Sequence, residues 1–168
     1  TVANEEKTKK LIQAQKRHMH IGVPGHGIVI AVPIKSVGGG KTVAFLNGET
    51  DNAAYTPSLN YSHELIVAVC SQGCTDMVMN AARAAGARGG TVLHGKGTGA
   101  KGAPKFYNIT IAQEKEMILI VATASQKAAI MQSILKKAGP DSKAGTIVFS
   151  LPTTQVAGFA LLDNQDET

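Results

Sequence analysis

Aromatic residues and cysteines are scarce in this chain. Only 4% of its 168 residues are aromatic and none is tryptophan, so a core has to be built from Val, Ile, Leu, Ala and Met. Two cysteines, Cys70 and Cys74, are too few for a disulfide framework and fit a reducing compartment such as the cytoplasm. No apolar run approaches the roughly 20 residues that a membrane-spanning helix needs. We therefore expect a cytoplasmic protein that does not insert into membranes.

The remaining composition is that of a folded protein with a mild basic excess. Hydrophobic residues make up 43% and charged residues 17% of the chain, which excludes an intrinsically disordered chain. The net charge of +5 suits the binding of anions, nucleotides included. Basic residues between Lys7 and Arg17 lie on a predicted helix that has no aromatic side chains for stacking on bases. We therefore expect no nucleic-acid partner.

The strongest organising feature is an internal repeat. Residues 1–39 align without a gap with residues 120–158, and each copy runs from a strand end through a helix and a Gly loop into an apolar strand. That strand ends at Pro33 in the first copy and at Pro152 in the second. Identities are only about one in five, but the shared order of elements is hard to obtain by chance. The first copy is incomplete, and its missing half would lie before Thr1, so a truncated chain is expected.

The second copy is preceded by enough chain to complete a β-α-β-β-α-β order. Apolar runs predict strands at 64–70, 90–94, 116–122 and 146–151, with helices over 73–85 and 126–137. Between the second and third strands, a Gly- and Lys-rich loop spans 95–104, a short alternating stretch covers 106–112, and 113–115 is a break. This order predicts an α+β, ferredoxin-like sandwich with two helices on one face of a four-stranded antiparallel sheet.

The repeat and the composition also predict domain boundaries. Residues 1–47 are the strand-helix-strand end of the first copy, and 48–62, rich in Asn, Thr and Gly, form a linker. Residues 63–163 form the complete domain and 164–168 a tail.

Several segments of the complete domain, taken together and in order, resemble the P-II family of nitrogen regulatory proteins, in its divergent branch. They are 64–69, 84–92 leading into 95–99, 114–121, 145–152 and 156–158. The resemblance covers about residues 63–163, and residues 1–47 resemble the end of a second, incomplete copy.

The resemblance implies a trimeric regulator of nitrogen metabolism that is not an enzyme. Such proteins bind ATP, ADP or AMP in clefts between subunits, and they contact a regulated partner protein through a loop between the second and third strands. Here that loop would span 97–106. Tyr107 would lie at the loop's exit, where pairing begins, so the modification of a loop-tip tyrosine is not carried over.

The family's nucleotide site is only partly preserved. Its Gly-x-Gly-Arg motif corresponds to Gly95, Lys96, Gly97 and Thr98, without the Arg, and its Gly-Asp-Gly-Lys motif corresponds to residues 143–146, where Gly145 is retained. The cofactor-binding residues implied are therefore Gly95, Lys96, Gly97, Thr98, Lys143, Gly145 and Thr146. The family's arginines after the last strand correspond to Ala157 and its neighbours, none of them basic. Lys96, Lys101 and Lys143 are the candidates to replace the lost cations, because charged contacts to phosphate are the stronger ones.

Two other functions stay open. The CutA proteins share this fold and the trimer, so a metal- or anion-binding trimer is one alternative, and a scaffold domain without effector binding is the other. No metal site is expected, because the C-x3-C of Cys70 and Cys74 lacks histidines at zinc spacing, and His18, His20 and His26 fit an exposed helix end. The sequence shows no set of a nucleophile, a base and a residue that orients the base. Residues Gly90 to Gly97 resemble a phosphate-binding P-loop, but the last position is Gly where that motif requires Ser or Thr.

Overall fold

The fold was analysed in a computed structural model. The structure describes residues 3–21, 23, 26–34, 59–97, 105–106, 109–110 and 113–158. It divides into two compact units, one drawn from residues 1–60 and 153–168 and the other from residues 61–152.

Helix α1 (Glu5–His18) belongs to the first unit, and local sequence accounts for its bounds. The Asn4 side chain caps it by accepting a hydrogen bond from the Lys7 amide at 2.9 Å. Acidic residues occupy its first turn and basic residues its last, as the helix dipole favours. In the same unit, β1 (Val29–Ala31) pairs antiparallel with β8 (Gln155–Ala157).

The second unit contains the larger sheet. Its strands are β2 (Asn60–Ser71), β3 (Thr91–Gly97), β6 (Gln113–Thr123) and β7 (Ile147–Thr153), and its helices are α2 (Thr75–Ala84) and α3 (Ala124–Ala138). The strand order is β3-β6-β2-β7. Each helix connects two strands that have a third between them, which is the split β-α-β pattern of the ferredoxin-like fold. The predicted fold class is confirmed.

The core of this unit lies between the sheet and its two helices. Alternate residues of β2 and β6, such as Ile66, Ile118 and Ile120, are fully buried against α2 and α3. The two helices also contact each other, where the Ser133 hydroxyl donates to the Ala81 carbonyl at 2.7 Å. This burial supplies most of the stability that the unit can have.

The region between β3 and β6 differs from the sequence prediction. Residues 95–97, predicted in a loop, extend β3, and residues 113–115, predicted as a break, are the first residues of β6. The stretch 106–112, predicted as one strand, contains two short paired strands, β4 (Lys105–Phe106) and β5 (Ile109–Thr110). The connection in the sheet therefore spans 98–112, not 97–106. The loop and the break were predicted because glycine and lysine have weak strand preference. In the structure, cross-strand pairing outweighs that preference.

Candidate functional site

Several chain segments converge where β2 and β3 end and β6 begins. The Ser71 amide donates to the Ala144 carbonyl at 2.9 Å, and the Gln72 amide donates to the Glu114 carbonyl at 3.3 Å. Lys115 on the central strand β6 pairs with Ser71 on β2 at one edge and with Gly95 on β3 at the other. This end of the sheet therefore gathers the glycine-rich end of β3, the start of β6, the start of α2 and the loop before β7.

Glu116 is the buried charge at this end. Its carboxylate accepts hydrogen bonds from the Gly73 amide (3.1 Å), the Thr75 amide (3.2 Å) and the Thr75 hydroxyl (2.6 Å). These bonds hold the pKa of Glu116 below its usual value of 4.5, and the bond from the Thr75 hydroxyl has the largest effect. Burial acts in the opposite direction and raises the pKa. The carboxylate thus occupies the N-terminus of α2, where amides attract an anion.

Two neighbours of Glu116 carry further chemistry. His94 lies opposite Glu116 in the ladder, with Nδ1 3.9 Å from the carboxylate. Cys70 is fully buried, and burial, aided by the Glu116 charge, raises the pKa of its thiol to about 11. Such a thiol is protonated at neutral pH and a poor nucleophile. The sulfur of Cys74 lies 4.0 Å from the Lys143 carbonyl and is also buried.

Sequence reasoning missed Glu116. Cys74 occupies the cap position at the start of α2 and offers no side-chain cap bond. The missing acceptor comes from another strand, 41 residues away in sequence from Thr75. The one available signal was an acidic residue at a position that alternates with buried Ile118 and Ile120.

The first group of predicted site residues lies on β3. Gly95, Lys96 and Gly97 pair with Lys115, Glu114 and Gln113, and the Lys96 ammonium is 3.7 Å from the Glu114 carboxylate. A β-carbon on Gly97 would approach Lys115 Cγ to 3.0 Å, whereas one on Gly95 would meet nothing within 4 Å. Thr98 and Lys101 lie outside the described residues.

The second group lies in the loop between α3 and β7. Lys143 is exposed, and Gly145 has a φ of +54°, a conformation that favours glycine. Thr146 is fully buried, its amide donates to the Ala138 carbonyl at 3.1 Å, and its hydroxyl has no hydrogen-bond partner within the described part of the chain. A ligand that contacts this hydroxyl would have to open the loop.

The two groups share one end of the sheet but lie at opposite edges. Gly95 is on β3, an edge strand, and Ala144 bonds to β2, with β6 between the two. Three strand spacings of about 4.8 Å put them about 14 Å apart. One copy of the chain therefore does not bring the two groups together into one contact.

The other candidate residues form no metal centre within the described ranges. Groups of three or more His, Cys, Asp or Glu side chains suited to a metal ion are absent there. The rings of His20 and His26 are 6.3 Å apart, and His26 Nδ1 lies 3.3 Å from the Met19 carbonyl. Among the same residues, no helix is long and apolar enough to cross a membrane. Tyr107 lies outside the described residues.

A family model for nitrogen regulatory protein P-II matches residues 63–159. The chain belongs to the P-II family. A search of curated proteins found no match. A solved structure of Arabidopsis thaliana PII bound to citrate is similar at 22% identity and a TM-score of 0.40, covering 55% of this chain and 76% of that one.

Membership of the P-II family makes this chain a regulatory signal-transduction protein. Members of the family are regulators rather than enzymes, typically form trimers and bind small effectors such as ATP or ADP. The matched residues include the whole end of the sheet described above. The predicted incomplete first copy, residues 1–47, lies outside the match and stays a prediction.

Proposed function

We propose that this P-II protein senses an adenine nucleotide, ATP, ADP or AMP, in a cleft between copies of the chain and regulates a nitrogen-metabolism partner in the cytoplasm. The nucleotide lies between the β3 end of one copy, Gly95 to Thr98, and the loop at 143–146 of the next. The connection 98–112, which starts and ends at this site, contacts the regulated partner. Binding changes the conformation of that connection and so the contact.

Gly95 carries the proposal. Its backbone is not in the left-handed region, so conformation does not require glycine, and no neighbour lies within 4 Å of the place a β-carbon would take. At Gly95, therefore, neither the backbone conformation nor crowding by neighbouring atoms requires glycine. Glycine at such a strand position allows another molecule to approach the backbone closely. Gly97, by contrast, has a packing reason in Lys115.

Nearby lysines supply the positive charge that phosphate needs. Lys96 lies beside Gly95, and its partner Glu114 is 45% exposed, so this weak pair can open to a stronger anion. Lys143 is exposed on the second loop. Lys115 lies opposite Gly95 in the ladder and donates a hydrogen bond to the Ser71 hydroxyl at 3.3 Å. It adds a third cation next to Gly95.

Trimer formation explains how the two separate edges meet. In a ring, the β3 edge of one copy faces the β7 edge of its neighbour, which brings Gly95 and Lys143 of different copies together. Strand alternation also puts exposed apolar side chains on the sheet face away from the helices, where a neighbouring copy would cover them; they are Leu93, Met117, Ile147 and Phe149.

Calorimetric titration of the purified chain with ATP, ADP and AMP tests the proposal, alongside Gly95→Val. The open space at Gly95 accepts the valine and a strand favours it, so the fold and oligomeric state should be kept. We expect micromolar binding by the unchanged chain and at least a tenfold loss in the variant. At a hundredfold excess over Kd, nucleotide should stabilise the chain by about 2.7 kcal/mol.

Each other result has a definite meaning. If no nucleotide binds the unchanged chain, the effector-sensing function is wrong and the scaffold alternative remains. If Gly95→Val binds as tightly as the unchanged chain, the site has been placed wrongly. Sedimentation equilibrium of both proteins is the control, since a change of oligomeric state would by itself remove a shared site.

A further inference from the structure

Helix α1 and strand β1 occupy the same repeat positions as α3 and β7. At the fixed offset that places residue 1 under residue 120, Glu5–His18 falls on α3 and Val29–Ala31 falls within β7. Even the residues before the two helices correspond, since Asn4 and Thr123 are both N-caps. The two segments can therefore be compared residue by residue.

Burial differs sharply between corresponding positions. In α3, Ile130 and Ala138 are fully buried, whereas their counterparts in α1, Leu11 and Met19, are 41% and 57% exposed. Between them, the buried Ile134 corresponds to Gln15, whose Oε1 is shielded from solvent without a hydrogen-bond partner within the described residues.

The strands themselves do not show this difference, since Val29 and Ala31 are half-buried like their counterparts Val148 and Ser150. It returns after the strands: Thr153, the last residue of β7, is fully buried, while the corresponding Ile34, three residues after β1, is 55% exposed. The buried apolar residues of the first unit are few in the described ranges: Ile12, Ile21 and Ala157.

The second unit shows what covers these positions. There, β2, α2 and β3 precede β6, and the face of α3 is buried against α2 and the sheet. That segment, residues 60–97, is a β-α-β unit whose apolar residues line α2 on one side. Among the described residues of the first unit, no such segment covers Leu11, Met19 and Ile34, which stay exposed.

We infer that α1 and β1 form half of a second ferredoxin-like domain, and that their apolar face binds a β-α-β polypeptide segment of the pattern of residues 60–97. The occupant is one segment with a Val- and Ile-rich strand, an Ala-rich helix and a second strand. This inference does not depend on the proposed nucleotide site.

A fused chain tests it, with residues 59–119 added directly before Thr1, which restores the spacing found before Ile120. Hydrogen exchange is measured at the amides of α1, with α3 of the same molecule as the reference. In the unfused chain, α1 should exchange at least about a hundredfold faster than α3. In the fused chain, exchange from α1 should slow to within about tenfold of α3.

A matched variant carries Leu11→Glu and Met19→Glu in the same fused chain. Both positions are solvent-exposed in α1, so the unfused variant should behave as the unfused chain does. In the fused variant, the slowing of α1 exchange should be lost. Equal exchange from α1 in fused and unfused chains would overturn the inference. The inference would also be overturned if α1 of the fused chain still exchanged slowly after both substitutions. Faster exchange from α3 in the fused chain would overturn it too, because the added segment would then displace residues 60–97.

Discussion

Helices α1 and α3 align in sequence at the offset that places residue 1 under residue 120, but they are held in place differently. The sequence around α1 provides its own cap and two ion pairs within the helix, Glu5–Lys9 and Glu6–Lys10, at 2.6 Å each. Helix α3 depends on contacts outside itself, through buried Ile130 and Ile134 and an ion pair from Lys127 to Glu64 on β2. Local sequence is therefore enough to specify a helix, but burial against other elements decides how strongly it is held.

The largest expected difference is in the cores. Ile118→Ala removes a fully buried side chain between sheet and helices and should lower the free energy of unfolding by about 3 kcal/mol. Ile12→Ala, in the small cluster of the first unit, should lower it by about 2 kcal/mol, the low end for such a substitution, because fewer neighbours surround the cavity. Urea unfolding followed by far-UV circular dichroism measures both. Equal losses would contradict the view that the second unit holds the principal core.

Capping gives the next largest effect. Glu116→Ala leaves three donors at the start of α2 without their acceptor and should cost about 2 kcal/mol, whereas Asn4→Ala at the start of α1 should cost about 1 kcal/mol. Glu116→Gln, which keeps one acceptor oxygen, should lie between the unchanged chain and Glu116→Ala. A loss at Asn4 as large as that at Glu116 would show that α1 is integrated into a core as firmly as α2.

The low pKa of Glu116 gives the same contact a pH dependence. Because the folded-state pKa lies below the unfolded value near 4.5, the stabilisation is fully present above that pH and is lost as the pH falls through the folded pKa. Unfolding free energies measured from pH 6 to pH 3 should therefore fall less steeply for Glu116→Gln than for the unchanged chain. Parallel curves would mean that the carboxylate is not bonded as described.

Ion pairs give the smallest difference. Lys127 and Glu64 are partly buried, 2.7 Å apart, and this contact, above all the hydrogen bond, lowers the pKa of Glu64. A double-mutant cycle of Lys127→Met and Glu64→Gln should give a coupling of about 1 kcal/mol. The exposed Glu6–Lys10 pair of α1 should give no measurable coupling, because water screens it. A larger coupling in α1 would reverse the comparison.

The sequence allowed the order of elements, the fold class and the family to be predicted, because buried strands such as 116–122 and helices such as 126–137 have strong periodicity. It did not reveal that residues 95–97 and 113–115 pair, since their side chains are glycine, lysine and other weak strand formers. The partner of β1 was also missed, because β8 has only three residues. Glu116 was missed because its bonds cross 41 residues of sequence.

The most direct test of the proposed shared site mixes two variants, each defective in one half of it. Gly95→Val blocks the β3 side and Lys143→Glu the loop side, so neither alone should bind nucleotide. If the copies assemble into the proposed ring, oligomers refolded from an equal mixture should regain about one quarter of the sites, because that fraction of interfaces combines two intact halves by chance. Calorimetric stoichiometry counts them. A mixture that binds no more nucleotide than the separate variants would contradict a site shared between copies.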